Sequence, residues 1–275
     1  MPQSKGHLNP GSPGVALDRF DVSPELVDLV RHLWIARWDL PPGQTERQRV
    51  LTYPTFNLVI WNGTAALYGP DPKLQVRELS GRGWAVGLLL RPAAGRLLSS
   101  VPPARLVAAS RPVHDAPIDL VGRAMNGAAP GPTIGALVTR WLDPTAARVD
   151  DRGRLLNRVC RLAEEDETIL RVSDLARRAG LSPRSLERLV VGHLGLTPKW
   201  LIECRRMQEA ATTLHVRPGT ELTALALSLH YVDYAHFSRR YKEVIGETPD
   251  ETRARADRSA SGQTNKQTDH ERTNQ

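Results

Sequence analysis

The sequence lacks any apolar run of about 18 residues, so no segment has the pattern of a membrane-spanning helix. The opening stretch, Met1 to Gly14, is rich in Pro, Gly and Ser and carries no apolar core of a secretory signal. The chain is therefore expected to stay in the cytoplasm. Only two cysteines occur, Cys160 and Cys204. Two cannot build a disulfide framework, and both fall in stretches of helical period, which predicts small buried hydrophobes. The histidines before residue 150 are His7, His32 and His114, too scattered for a metal-binding set, so neither a metal nor a cofactor is expected. No GxSxG, HExxH, P-loop or CxxC stands in the chain, and no dense cluster of acids and bases. That leaves no catalytic residues to nominate and points away from an enzyme. A strong basic excess is missing too. The net charge is +7 over 275 residues, but residues 151–260 hold 19 basic against 16 acidic side chains. Charge alone permits a polyanionic partner without identifying one.

What the chain does have is a change of period. Residues 1–20 look disordered by composition. From there to residue 150 a β-rich domain is expected, followed by its own helices. Its strand candidates are His32–Asp39, Phe56–Trp61, Ala65–Tyr68, Leu74–Leu79, Trp84–Arg91 and Leu106–Arg111. Turn residues such as Asn62-Gly63 and Gly81-Arg82-Gly83 punctuate them. Short strands with regular turns predict a barrel-like or sandwich domain. Ile118–Asn126, Thr133–Leu142 and Arg148–Glu165 carry helical period. The last two either pair between protomers or pack on the β-rich part. Residues 151–256 are expected to form an all-α domain, and residues 257–275 a polar, disordered tail. The fold class is α+β, with the mostly-β domain first and the helical domain second.

The most specific signal is Val172–Val190, VSDLARRAGLSPRSLERLV. A helix-turn-helix needs a small residue where its helices cross, a turn residue that tolerates positive φ, and apolar positions facing a core. Ala176 and Gly180 meet the first two needs, and Leu175, Ala179, Leu181, Leu186 and Leu189 the third. Ser182 and Pro183 suit the N-cap and first position of the second helix. Fifty residues on, Leu222–Lys242 repeats the plan, with Ala226 at the crossing and His230 in the turn. From the second helix onward the offset becomes 51, pairing Leu186 with Phe237, Gly195 with Gly246 and Pro198 with Pro249. One extra residue therefore sits in the second turn. Between the units, Pro198–Leu214 has one apolar face, formed by Trp200, Leu201, Cys204, Met207, Ala211 and Leu214, and is expected to hold them at a fixed separation.

These tandem units, the linking helix and the paired G-x-T-P segments resemble the C-terminal DNA-binding domain of the AraC/XylS family of transcription regulators, over roughly Arg154 to Arg255. The resemblance implies that each second helix enters a major groove. It nominates Arg184, Ser185, Glu187 and Arg188 as base readers in the first unit, and Tyr234, Ala235, His236, Arg239 and Arg240 in the second. Arg suits guanine and Glu suits cytosine. Lys199, Lys242, Arg205 and Arg206 are either phosphate contacts or solvated surface. The second turn departs from the family in having His230 where glycine is usual, which predicts a strained left-handed residue. The resemblance further implies promoter DNA and RNA polymerase as partners, with activation favoured.

The β-rich half resembles, more loosely, the cupin-like sensing domains of such regulators. That implies a small-molecule effector or a partner, and a homodimer is compatible with it. Trp34, Trp38, Phe56, Trp61, Tyr68 and Trp84 then form either the domain core or an effector pocket, with Arg91 and His114 available to orient a polar group. Two other classes stay open: a non-specific architectural DNA-binding protein, and a module whose helix-turn-helix pair contacts only protein.

Overall fold

The computed structural model describes residues 14–51 and 53–257. The first part is β-rich. Strands β1 (Val15–Phe20), β2 (Val30–Asp39), β4 (Asn57–Trp61), β5 (Thr64–Tyr68), β7 (Arg82–Leu90) and β8 (Ser110–Pro112) form an antiparallel sheet in the order β1-β2-β7-β4-β5-β8. Strands β3 (Thr45–Val50) and β6 (Gln75–Ser80) pair as a separate ribbon. Alternation explains the sheet. Leu33, Ile35, Leu58, Ile60, Val86 and Leu88 share one face through the β2–β7–β4 register and are all buried. The opposite face carries Trp34, Trp38, Val59, Trp61 and Ala85, with Leu79 of the ribbon packed among them. Asn62-Gly63 makes the β4–β5 turn with both residues at positive φ, as that dipeptide favours.

Two expectations need correction, and one strand was not anticipated. Residues 15–20 are not disordered but form β1. Its backbone pairs with β2 from Val15–Trp38 to Phe20–Leu33, and Asp18 accepts from Arg37 at 2.8 Å. The Pro/Gly/Ser-rich stretch before it masked a short strand; residues 1–13, and the tail from 258, lie outside the described residues. Leu106–Arg111 is not a strand along its length. Leu106 is fully buried after a 3-10 turn at Pro103–Arg105, Ala108 takes φ +54°, and only Ser110–Pro112 pairs. Ribbon strand β3, Thr-Glu-Arg-Gln-Arg-Val, gave no apolar alternation to find; Arg47 pairs with Glu78 across it at 2.8 Å.

The helices follow as α1 (Gly95–Leu98), α2 (Ile118–Met125), α3 (Pro130–Ala146), α4 (Asp151–Glu165), α5 (Val172–Arg178), α6 (Pro183–Leu194), α7 (Pro198–Val216), α8 (Leu222–Ser228), α9 (Tyr234–Ile245) and a last helix, α10, over residues 249–257. Packing divides the chain into two compact units, one ending at Arg205 and the next starting at Arg206, inside α7. The division does not fall at residue 150, because α4 is fastened to the β-rich part. The Asn157 amide accepts from the Ala93 N–H at 3.0 Å and donates to the Asp28 carbonyl at 2.8 Å. Arg31 of β2 grips Glu164 with two hydrogen bonds of 2.7 and 2.8 Å. The first helix-turn-helix, α5–α6, belongs to the same unit. The end of α6 rests on the turn at Pro103–Arg105 so closely that a Cβ at Gly195 would lie 2.6 Å from the Ala104 Cα.

Candidate nucleic-acid interface

The two helix-turn-helix units are built on one backbone plan. In the first, Gly180 turns with φ +67°, its N–H bonds to the Arg177 carbonyl and the Leu181 N–H returns to Ala176 at 2.9 Å. In the second, His230 turns with φ +62°, its N–H bonds to Leu227 and the Tyr231 N–H returns to Ala226 at 2.9 Å. The crossing residues Ala176 and Ala226 are both buried, as that role requires. The strained histidine expected from the sequence is thus in place.

The second helices are capped in the same way by different residues. The Ser182 hydroxyl accepts the Ser185 N–H at 3.2 Å, and Pro183 opens α6. The Asp233 carboxylate accepts the His236 N–H at 2.7 Å and starts α9. Both helices end on a left-handed glycine, Gly195 at φ +69° and Gly246 at φ +83°. The threonines that follow, Thr197 and Thr248, each accept the N–H three residues on at 3.2 Å.

The inward faces are apolar. Leu186, Leu189, Val190 and Leu194 are buried in the first unit, and Phe237, Tyr241, Val244 and Ile245 in the second. Phe237 packs between Tyr231 and Tyr241, with ring centroids 5.3 and 5.6 Å away. Burying those faces turns the complementary positions outward. Arg184, Glu187 and Arg188 are exposed on α6, with no hydrogen-bond or ion-pair partner among the described residues. Ser185 is half-buried, and its hydroxyl accepts from Ser182 at 3.0 Å.

The nominated residues of α9 are arranged differently. Ala235, His236 and Arg239 are exposed. The Tyr234 hydroxyl donates to the Asp250 carboxylate at 2.5 Å; burial, and then that bond, raise its pKa and keep it protonated. Arg240 is paired with Glu243 on the next turn. The His236 ring stands edge-on to Tyr231 at 5.3 Å.

Among the cations nominated for phosphate, Lys199 and Lys242 are exposed. Arg205 fits neither of its expected roles. It is 6% exposed, and its guanidinium donates to the Ile169 carbonyl at 2.9 Å, so it closes the chain before α5. Arg206 lies 5.8 Å from the Tyr231 ring centroid. Sequence reasoning missed Val232, the residue just before the cap of α9. Its signal was present in the change of offset from 50 to 51.

Elsewhere, both cysteines are buried, and burial pushes their thiols well above the ordinary range. No group of three His, Cys, Asp or Glu residues among those described is placed to hold a metal. Of the six aromatics nominated for a core or pocket, Phe56 and Trp38 are buried and Trp34, Trp61, Tyr68 and Trp84 are half-exposed. Arg91 donates to the Val27 carbonyl at 3.2 Å, and His114 is exposed. A cleft of about 740 Å³ lies between β1 and α3, lined by Arg19, Phe20, Leu33, Gly135 and Val138. No described helix is long and apolar enough to cross a membrane.

Comparison with known proteins places these observations. Residues 175–255 match the family described as a helix-turn-helix domain, and residues 18–110 match a domain of unknown function, DUF6597. The XylDLEGF operon transcriptional activator of Pseudomonas putida is 31% identical over 98 residues, 34% of this chain and 30% of that protein. The chain thus spans less than a third of that relative's length. The XylDLEGF operon transcriptional activator 2 of the same organism is 28% identical over 127 residues, 42% of this chain and 79% of that protein. Among solved structures, ToxT from Vibrio cholerae aligns over 87% of this chain and 97% of its own, with 11% identity and a TM-score of 0.42.

Proposed function

We propose that the protein is a sequence-specific regulator of transcription of the AraC/XylS type, a reading supported by the helix-turn-helix domain matched over residues 175–255 and by the likeness to the XylDLEGF operon activators. It binds promoter DNA through α6 and α9, each in a major groove. The observation that carries this reading is the outward row Arg184, Glu187 and Arg188. Three charged groups with no internal partner stand on a helix whose opposite face is locked into a core. Arg offers guanine two parallel donors, and Glu accepts from cytosine. Arg239 and the exposed Lys199 and Lys242 extend the basic surface along each unit toward phosphates. The mixed charge of residues 151–260, 19 basic against 16 acidic, favours a base-reading protein over an architectural one that binds by charge alone.

In this reading the β-rich domain receives a small-molecule effector or a partner, and its state alters how the helix-turn-helix units engage DNA. The fastening of α4 by Asn157 and Glu164 supports that route, since the first DNA-reading unit follows directly from it. RNA polymerase, contacted in activation, and a second copy of the chain are the further partners proposed. The setting is the cytoplasm.

The test is selection from a random duplex pool with the full chain and with an Arg188→Ala, Arg239→Ala variant. The expected result is a bipartite motif with half-sites about 10 base pairs apart, lost in the variant. Each arginine should account for roughly 1–3 kcal/mol of base discrimination. An unselective, steeply salt-dependent binding that survives the double substitution would instead identify a charge-driven binder.

A further inference from the structure

The two turns differ by one residue, and the structure shows which one. The backbone returns coincide at an offset of 50, Leu181 to Ala176 and Tyr231 to Ala226. The caps coincide at 51, Ser182 and Asp233. The residue inserted between return and cap is Val232. It is 83% exposed, the highest value among the exposed large hydrophobic side chains described. An apolar residue just before an N-cap ordinarily packs back on the first turn of its helix. Here that place is taken: Phe237, one turn into α9, is covered by Tyr231 and Tyr234 at 5.3 and 6.4 Å between centroids. Val232 is left pointing away from the fold at the leading end of the helix.

Its neighbours narrow what it can meet. The Tyr234 hydroxyl is committed to Asp250 and Arg240 is tied to Glu243, while the exposed His236 ring stands edge-on to Tyr231. The groups exposed at this end are the isopropyl of Val232, the methyl of Ala235 and the His236 ring, with Arg239 one turn further on; Val232 and Ala235 are the aliphatic ones. In the major groove the one apolar feature on a base edge is the C5-methyl of thymine.

We propose that the second unit reads thymine through an apolar contact from Val232, assisted by Ala235, whereas the first unit reads by charged side chains. The inference rests on the regulator reading above and names the bases of its second half-site. Val232 is the specificity-determining residue there.

The experiment uses the selected duplex and the full chain. The half-site that loses preference in Arg239→Ala is assigned to the second unit, and each thymine in it is replaced in turn by deoxyuridine, which differs only by the methyl. At one or more positions the wild-type protein should bind the uridine duplex about fourfold more weakly, the worth of one buried methyl group. In Val232→Ser the thymine-to-uridine ratio at that position should fall close to one, and in Val232→Ile it should be kept. A merely structural valine would shift both duplexes equally and leave the ratio unchanged, which overturns the proposal. So does a wild-type protein indifferent to every methyl in that half-site. If the selection yields a motif and the uridine series is flat, only this inference falls. If no motif is selected, the regulator reading falls and takes it along.

Discussion

Gly180 and His230 occupy the same left-handed turn position in two copies of one motif, which makes the cost of that backbone measurable within one chain. A side chain at positive φ brings its Cβ close to the carbonyl, at roughly 1–2 kcal/mol per residue, with histidine among the types that tolerate it better. Replacing His230 by glycine removes that cost. It also gives the unfolded chain more freedom, which takes back roughly 0.4–1 kcal/mol. The net expectation for His230→Gly is a stabilisation of roughly 0.5–1 kcal/mol in the second unit. Nothing else is lost on paper: the side chain is exposed, and the N–H bond to Leu227 belongs to the backbone. Gly180→Ala runs the other way by a similar amount. A Cβ there meets nothing within 4 Å, so in the folded state backbone strain is the only cost, set against the reduced freedom of the unfolded chain.

Native-state hydrogen exchange isolates each turn. The Tyr231 amide, bonded to Ala226 at 2.9 Å, should exchange about two to five times more slowly in His230→Gly. The Leu181 amide, bonded to Ala176 at 2.9 Å, should exchange faster by a similar factor in Gly180→Ala. If His230→Gly leaves Tyr231 unchanged or less protected, the histidine is not strained at a net cost and the reasoning fails.

Three further outcomes are expected. Gly195→Ala should cost more than Gly246→Ala in urea denaturation, by about 1–3 kcal/mol. Both glycines have positive φ, but a Cβ at Gly195 strikes Ala104 at 2.6 Å, whereas at Gly246 it meets nothing within 4 Å. Asn157→Ala should destabilise the first unit by about 1–3 kcal/mol, because the Ala93 N–H and the Asp28 carbonyl both lose their partner; a cost near zero would mean that water replaces the amide freely. The buried His32 makes stability fall with acid. Burial, and then the charges of Arg31, Arg19 and Arg91, push its pKa down to about 4. Below its ordinary value near 6.5 the unfolded chain takes a proton that the fold refuses, so stability is full above that pH and declines down to about 4. The loss is about 3 kcal/mol. Unfolding free energies at pH 7 and pH 4.5 should differ markedly less in His32→Leu, a comparison in which His193 and His215, also lowered, cancel.

The helix-turn-helix units were legible because everything that defines them is local. Ala176, Gly180 and Ser182 lie within seven residues, and so do Ala226, His230 and Val232; a single pass along the sequence finds caps, turns and the inserted residue's offset. The β-rich part was less so, for a different reason in each place. Strand β1 follows a Pro/Gly/Ser-rich stretch, and β3 exposes charged side chains on a two-stranded ribbon with little to bury. Asn157 and Glu164 read as polar positions on an amphipathic helix. Their partners lie 129 and 133 residues earlier, and only folding brings them together. Arg205 was misjudged because a helical wheel counts cations as outward, whereas it is buried and donates to the Ile169 carbonyl, 36 residues earlier in the chain.

The same comparison bears on how the two units share recognition. A repeated motif invites the assumption that both copies work alike, yet the differences fall on the side facing away from the core. The first unit has an unstrained glycine turn and three exposed charged groups without partners. The second has a strained turn, an inserted valine, and two of its five nominated readers engaged internally. Hydrogen bonds to base edges discriminate more strongly than a methyl contact, roughly 1–3 kcal/mol against about 0.8 kcal/mol for one buried carbon. Selection on this chain would therefore produce a site with one sharply defined half and one shallower, thymine-bearing half. The asymmetry would belong to the protein and not to the promoter.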